Sequence, residues 1–594
     1  MCGIVGYTGN YDVGDVLIQG LLRLEYRGYD SAGVAIKGPH GIDIQKKKGR
    51  IKELDPSKFE KGNTGIGHTR WATHGKPSDE NAHPFVDCGG EISIVHNGII
   101  DNFVEIKSRL EENGHKFTSE TDSETIVHLL EENYEGDMIQ ALKRTTDELR
   151  GSYAIVAMHK DHDELVVARD QSPLVIGVGA NENLVASDVP AILGYTNEIK
   201  YLMDGDMARI TDDSVEIWDE NGDIVDRETK EISWDLEDAE KGGYEHYMLK
   251  EIHEQPKAIH DSLLGRLSEF NDVDFSKYDI DSVQLIACGT SYHAALVGKY
   301  ILENIARIPC MVDMASEYRY SSSPDTYPFT ILISQSGETA DTLAAAKEAK
   351  QRGCKTLGIT NVLDSSLTRE VDEVIYTQAG PEIGVAATKT FTTQLIVLYL
   401  VALQMGLVRK TLSPAKAEEY RSELRRLPRK VEKILDQSKR IKDISDKLSK
   451  AEDIFFVGRN INYPVAMEGA LKLKEIAYIH AAGYPAGELK HGPFALLTEK
   501  TPVIAISVKD HTFEKMLGNI GEIAARGSPI IAVGEEDREL VKLSDDVVFI
   551  PKISPTFTPI LVNVVLQLFA YYTAYNLDRE IDKPRNLAKS VTVE

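Results

Sequence analysis

Met1-Cys2-Gly3-Ile4-Val5-Gly6 opens the chain, and its reading decides what the N-terminal part folds into. A cysteine beside the initiator methionine becomes the chain terminus once Met1 is removed, which puts a thiol and a free α-amine on one residue. The α-amine has an unperturbed pKa of about 7.7–8.0, so near neutral pH much of it is unprotonated and takes the thiol proton directly or through a water. Ile-Val-Gly reads equally well as a buried first strand and turn, with Cys2 an ordinary strand residue. On these six residues alone both readings stand.

Outward from this stretch, Val13 to Tyr26 carries apolar residues at helical spacing and ends in the turn-rich Arg27-Gly28-Tyr29-Asp30-Ser31. Strand-like segments follow at Gly33–Ile36, Thr64–His68, Ile92–His96, Tyr153–His159, Leu165–Arg169 and Leu174–Gly179. A hairpin is expected from Val215–Asp219 to Ile224–Arg227, with Asn221-Gly222 supplying the positive φ of a tight turn. The acidic run Asp235–Glu240 before Gly242-Gly243 reads as a linker.

Three polar clusters are denser than ordinary loops: His68-Thr69-Arg70-Trp71-Ala72-Thr73-His74-Gly75, His96-Asn97-Gly98, and Ser119-Glu120-Thr121-Asp122-Ser123-Glu124. Singly, each has a structural explanation: Asn97-Gly98 as a hairpin turn, Arg70 as a surface ion pair, Asp122 as a helix N-cap. Taken with Cys2, the pattern resembles the class II glutamine amidotransferase domain, an N-terminal-nucleophile hydrolase. The resemblance implies that Cys2 attacks the side-chain amide of glutamine and that Asn97 and the Gly98 N–H form an oxyanion hole. It also implies that Arg70 grips the α-carboxylate, Asp122 takes the α-ammonium, Thr73 and His74 line the pocket, and Trp71 sits where ammonia leaves.

The bulk numbers agree with a large globular protein. The chain has 594 residues, enough for about three or four domains. Apolar residues make up 42% and charged residues 27%, the balance of a water-soluble fold. The longest apolar run, Leu395 to Leu403, falls short of a membrane span, and no basic region precedes a signal-like segment. A net charge of −27 disfavours nucleic acid and anionic membrane as partners. The five cysteines, Cys2, Cys88, Cys288, Cys310 and Cys354, include no CxxC pair and no histidine at metal-ligand spacing. Neither disulfides nor a zinc site is expected, no metal or cofactor is called for, and a reducing cytoplasm fits.

From about residue 245 the pattern changes to short apolar strands ending at glycine, as in Val283–Gly289 and Ile454–Gly458. Each leads into a long helix and then a glutamate, Glu317 or Glu488, which reads as an internal repeat of two α/β units with parallel sheets. Only the first copy opens a buried strand, Phe329–Ile333, into Ser334-Gln335-Ser336-Gly337-Glu338-Thr339 ahead of a helix. Hydroxyls and N–H groups at a helix N-terminus suit an anion, whereas a serine-rich capped turn is the plain alternative. Here the sequence resembles the SIS (sugar isomerase) domain, with Cys288-Gly289-Thr290-Ser291 as the neighbouring wall. The charged stretch Arg409–Lys450 reads as solvated helix faces.

In Glu468-Gly469-Ala470-Leu471-Lys472-Leu473-Lys474-Glu475, helical geometry puts positions 468, 472 and 475 within about 60° of one another and turns Lys474 away. Spacing alone fits a surface ion-pair stripe as well as a catalytic face. With the following Ala486-Gly487-Glu488-Leu489-Lys490-His491-Gly492-Pro493 and the tail Asp582–Glu594, the whole chain resembles the glucosamine-6-phosphate synthases, the isomerising glutamine:fructose-6-phosphate amidotransferases. The fold implied is an α+β N-terminal-nucleophile hydrolase sandwich (αββα) followed by two α/β SIS domains with parallel sheets. The domains expected are 1–240 for the amidotransferase, 241–425 and 426–583 for the SIS pair, and 584–594 for a catalytic tail.

The resemblance further implies that Ser334, Gln335, Ser336 and Thr339 hold the phosphate of fructose 6-phosphate, with Thr290, Ser291, Val385 and Ala588 nearby. Lys589 would form a Schiff base with the open-chain ketone. Glu475 would shuttle a proton between C1 and C2, supported by Lys472 and Glu468, and His491 would assist ring opening from the partner subunit of a homodimer. The family often has serine where this chain has Ala387, so a hydroxyl contact to the sugar is absent from this expectation. Two other readings compete. One is a different class II amidotransferase, which needs a phosphoribosyl-pyrophosphate loop not found here; the other is a sugar-phosphate-sensing regulator, which has no use for Cys2.

Overall fold

The structure is a computed structural model. It describes every residue except 1, 26, 27, 29, 71–75, 171, 233–240, 242, 268, 269, 271, 322–326, 593 and 594, together with the side chain of 57. The chain divides into two compact units, Met1–Ala239 with Ala588–Glu594, and Glu240–Leu587.

The first unit is a four-layer sandwich. In an eight-stranded sheet, Gly3–Gly9 lies between the antiparallel strands Thr64–Arg70 and Glu182–Ala186. In a seven-stranded sheet, Ile92–Ile100 lies beside Gly151–His159. Strand alternation sends Ile4, Ile66 and Val185 from one sheet against Val95, Val156 and Val167 from the other, making a dry interior between them. The outer faces are covered by helices: Val13–Leu24 on the first sheet, with Phe103–Glu112, Glu124–Asn133 and Met138–Glu148 on the second. Gly20 lets the first of these helices approach closely, since a Cβ there would meet Val5 Cγ1 at 3.0 Å.

The αββα expectation holds, and local readings are refined. The first helix spans Val13–Leu24 and is capped by Asp12, whose carboxylate accepts from the Gly14 and Asp15 amides. Val215–Trp218 and Ile224–Val225 form the expected hairpin, with Gly222 at φ 84°. Asn97-Gly98 is not a turn; it lies inside the strand Ile92–Ile100.

The second unit contains two five-stranded parallel sheets with one connectivity. The first runs, edge to edge, Cys310–Met314, Val283–Ala287, Phe329–Ile333, Lys355–Thr360 and Glu373–Tyr376. The second runs His480–Pro485, Asp453–Gly458, Val503–Ile506, Ile530–Gly534 and Asp546–Phe549. In both, the chain leaves its first strand toward one side and returns on the other, so the strand order reverses beside that first strand. Crevices open at the carboxyl ends of the strands at such a reversal.

The structure refines two sequence expectations here. The segment Arg409–Lys450 forms helices Pro414–Leu435 and Ser438–Leu448 that are solvated on one side only. Leu424, Leu427, Val431, Ile434, Ile441, Ile444 and Leu448 are fully or nearly buried in the unit's core, because their spacing keeps one stripe free of charge. Among the described residues, Lys389–Val408 and Pro555–Asn576 are long and apolar enough to cross a membrane, contrary to the reading from uninterrupted apolar runs. Both are core helices, buried over 83% and 94% of those spans.

Candidate functional site

Cys2 immediately precedes the central strand of the first sheet, and Asn97 reaches it from the facing sheet. The Asn97 side-chain amide donates to the Cys2 carbonyl at 3.1 Å. Its orientation is imposed from behind. His68 Nε2 lies 3.0 Å from both the Asn97 Oδ1 and the His96 carbonyl, two acceptors, so the ring carries its hydrogen on Nε2. Asn97 Oδ1 is thereby occupied, and its NH2 must face residue 2. Gly98, at φ 130°, is in a conformation that disfavours side chains, and a Cβ there would meet the Ser152 carbonyl at 1.9 Å.

Charge around this centre is also ordered. Arg70 is buried at the end of Thr64–Arg70, and burial lowers its pKa against the opposing attraction of Cys2, Asp122 and Asp30. Asp122 is buried and accepts from the Ile100 amide at 2.9 Å, so it is not the helix cap that its sequence context also allowed. His68 stacks on His83 with ring centroids 4.0 Å apart, and the His83 Nδ1 accepts from the His96 amide at 3.2 Å.

Burial pushes His68 down to about 3, and it pushes His83 and His96 down as well. A histidine depressed in the fold stabilises it above the unfolded value of about 6.5 and loses that contribution as pH falls toward the folded value. At pH 5, His68 alone should cost roughly 2 kcal/mol. Thermal unfolding of the first unit, followed from pH 7.5 to 5, should therefore fall steeply, and His68→Gln should flatten that slope.

In the second unit, Gly289–Ile301 and the loop Ser334–Thr339 leave adjacent strands at the reversal point of the first parallel sheet. The loop is held open by its own bonds: Ser334 Oγ takes the Gly337 amide at 3.1 Å and lies 2.9 Å from Thr339 Oγ1. Gly337 sits at φ 66°, where a Cβ would meet Ser365 Oγ at 1.9 Å. Gly337→Ala should collapse this loop and weaken the binding of a phosphate monoester there at least about tenfold, read by titration calorimetry. At the corresponding place in the second sheet, Asp510 takes the Thr512 amide and hydroxyl, each at 2.7 Å, so a carboxylate already uses these donors.

Beside the loop lies an ion network built from both repeats. Glu468 accepts from Thr290 Oγ1 at 3.1 Å and faces His293 Nδ1 at 2.7 Å. Lys472 donates to Thr290 Oγ1 at 2.9 Å, with Glu475 at 2.6 Å and Glu468 at 3.4 Å. Glu468 and Lys472 are buried, whereas Lys474 is exposed, so this face is not a surface stripe. Burial alone would discharge Lys472, but Glu468 and Glu475 outweigh it and hold the ammonium up at about 12. Glu468 goes below the ordinary carboxylate range because Lys472, His293 and Thr290 overcome its burial. Lys472 thus contributes fully below about 10.5 and loses its contribution only as pH rises through about 12. An amine kept charged cannot add to a carbonyl, which makes Lys472 an electrostatic group rather than a nucleophile.

Comparison with known proteins agrees with both halves. The glutamine amidotransferase domain family matches residues 68–194, and the SIS domain family matches 278–404 and 447–577. Proteins named glutamine–fructose-6-phosphate aminotransferase (isomerizing) from Thermus thermophilus and Methanosarcina mazei are each 50% identical, over all of this chain and all of their own. The chain belongs to this family. The solved C-terminal domain of glucosamine-fructose-6-phosphate aminotransferase from Francisella tularensis is 39% identical with TM-score 0.56, covering 58% of this chain and 100% of that one. A putative tagatose-6-phosphate ketose/aldose isomerase from Clostridium novyi, 19% identical over 59% of this chain and 94% of its own with TM-score 0.51, shares the fold alone.

In this member of the aminotransferase family, the first unit brings Cys2, Asn97, Gly98, Arg70 and Asp122 into one neighbourhood. Trp71, Thr73 and His74 lie outside the described residues. The second unit brings together Thr290, Glu468, Lys472 and Glu475, while Ser291 accepts from Gln394 at 3.0 Å. Val385 is tied through its amide to the Asp582 carbonyl at 3.0 Å, and Ala387 is half-buried close by. His491 is exposed at the end of the short helix Ala486–His491. Ala588 and Lys589 fall in the segment that groups with the first unit.

Residue reading missed three contributors. His68 stood in a quoted cluster, but nothing in its spacing says that it aims Asn97. His293 lies one helical turn from Thr290, a usable signal. Glu382 accepts from the Thr388 and Thr390 amides, and its charge adds to the field that keeps Lys472 protonated, an influence between segments far apart in sequence.

Proposed function

We propose that this enzyme moves the amide nitrogen of glutamine onto fructose 6-phosphate and isomerises the product, giving glucosamine 6-phosphate and glutamate. With Met1 removed, the Cys2 amine takes the thiol proton, and the sulfur attacks the glutamine amide. The Asn97 NH2 and Gly98 N–H bind the resulting oxyanion, while Arg70 and Asp122 hold the amino-acid end. Ammonia leaves, and water releases glutamate from the thioester.

At the second site Ser334, Gln335, Ser336 and Thr339 hold the phosphate, with Thr290, Ser291, Val385 and Ala588 around the sugar. Lys589 forms the Schiff base with the ketone, ammonia replaces it at C2, and Glu475 carries a proton between C1 and C2. Lys472 and Glu468 fix the position of Glu475, and His491 of a partner subunit assists ring opening. In this reading residues 1–240, 241–425, 426–583 and 584–594 are the working domains of a cytoplasmic homodimer without nucleic acid or membrane partners.

The observation that carries the proposal is a buried Glu468–Lys472–Glu475 network beside an open anion loop, in the same chain as a Cys2–Asn97 pair. The test is incubation with glutamine and fructose 6-phosphate. Glutamate and aminosugar should appear in equal amounts; glutamate alone, at a rate indifferent to the sugar, would overturn it.

A further inference from the structure

The first unit gathers four metal-ligating side chains outside either catalytic neighbourhood: Cys88, His115, His128 and Glu131, with donor atoms all within 4.8 Å of one another. Sequence spacing gave no hint, since Cys88 lies in the turn before Ile92–Ile100, His115 follows Phe103–Glu112, and His128 and Glu131 lie on Glu124–Asn133. Only the packing of those helices on the sheet brings them together.

The geometry has the proportions of a tetrahedral site. Cys88 Sγ is 3.8 Å from His115 Nδ1 and 3.6 Å from His128 Nδ1. Glu131 Oε2 is 3.0 Å from the first of these nitrogens and 3.1 Å from the second. Sulfur, nitrogen and oxygen donors at about 2.0–2.3 Å around zinc stand about 3.3–3.6 Å apart, so small shifts admit the ion. The outer contacts also fit. His115 Nε2 faces Glu132 at 3.5 Å, and His128 Nε2 faces Glu124 at 3.9 Å. Both Nδ1 atoms are hydrogen-bonded to Glu131 Oε2; with a metal ion bound, each ring would carry its hydrogen on Nε2, toward those carboxylates, and present its Nδ1 lone pair to the ion.

We propose that Cys88, His115, His128 and Glu131 bind one divalent transition-metal ion of the zinc class, as a structural clamp. On binding, the Cys88 S–H bond breaks, its proton goes to solvent, and the sulfur bonds the metal; nothing is oxidised or reduced. Two anionic and two neutral ligands leave the site neutral. The Lys116 amide supports the sulfur at 3.5 Å, and Asp87 shapes the turn by accepting the Glu91 and Ile92 amides at 2.7 and 2.8 Å. The clamp braces the helix that begins two residues after Asp122. Glu124, on its first turn, already holds the Thr118 and Ser119 amides at 2.8 and 2.7 Å.

The full chain, prepared with zinc in the medium, should carry about one zinc per chain by elemental analysis. After chelation and refilling with Co2+ it should show a thiolate-to-cobalt absorption band in the near ultraviolet. Cys88→Ser, at an exposed position, should abolish the band, and His115→Gln, shown folded by circular dichroism, should weaken metal affinity at least about tenfold. Cys2→Ala and Cys288→Ser should leave the band intact. A chain that takes up neither zinc nor cobalt, or a band that survives Cys88→Ser, would overturn the proposal and leave Glu131 as a plain acceptor for two imidazoles.

Discussion

Cys2→Ala should abolish glutamine hydrolysis, by at least about four orders of magnitude, while the interconversion of sugar phosphates at the second site continues within about twofold. The size of the loss follows from what is removed. No other thiol lies at a chain terminus beside a free amine, and the oxyanion donors have nothing to stabilise without a nucleophile. Asn97→Ala should be milder, about a hundred- to a thousandfold in kcat, because Gly98 still supplies one donor. The readouts are glutamate release and, separately, fructose 6-phosphate turnover. Loss of both in a folded Cys2→Ala protein would contradict two separable sites. Retention of Met1 in a fully active preparation, seen by intact-mass measurement, would contradict the amine's part.

Lys472→Met should strongly destabilise the second unit and impair its chemistry together. It leaves Glu468, buried and 3.4 Å from the lost ammonium, with His293 and Thr290 as its remaining partners. Breaking a buried pair in this way costs about 3–5 kcal/mol, and aminosugar formation should drop at least about a hundredfold as Glu475 loses its position. Adding Glu468→Gln should recover much of the stability and none of the synthesis, which separates an electrostatic fault from a catalytic one. Calorimetry with a sugar assay on the single and double variants provides the check. Equal stability of Lys472→Met and the parent would mean that the ion pair is not what the buried geometry implies.

Much of this architecture was legible because strands and helices announce themselves by period. The strands around Cys2 and the duplicated α/β units came through, since alternation and glycine-ended apolar runs are local signals. The face shared by Glu468, Lys472 and Glu475 was legible from helix geometry, but its burial was not. An i,i+4 pair looks the same in sequence whether water or a neighbouring repeat lies over it, and Thr290 and His293 arrive from about 175 residues away. The same holds for His68 behind Asn97, and for Cys88 with His115, His128 and Glu131. Contacts made by packing between distant segments leave no spacing to read. The charged helices after Arg409 were half legible: their polar face dominates composition, and the thin apolar stripe beneath it decides where they sit.

The crossing of Thr290 and His293 onto a glutamate belonging to the other repeat has a consequence for how such a chain arose. Once a duplicated ancestor had split its working parts between copies, neither copy remained a spare. A half expressed alone would leave Glu468 paired with Lys472 but without Thr290 and His293, or a phosphate cradle without its proton carrier.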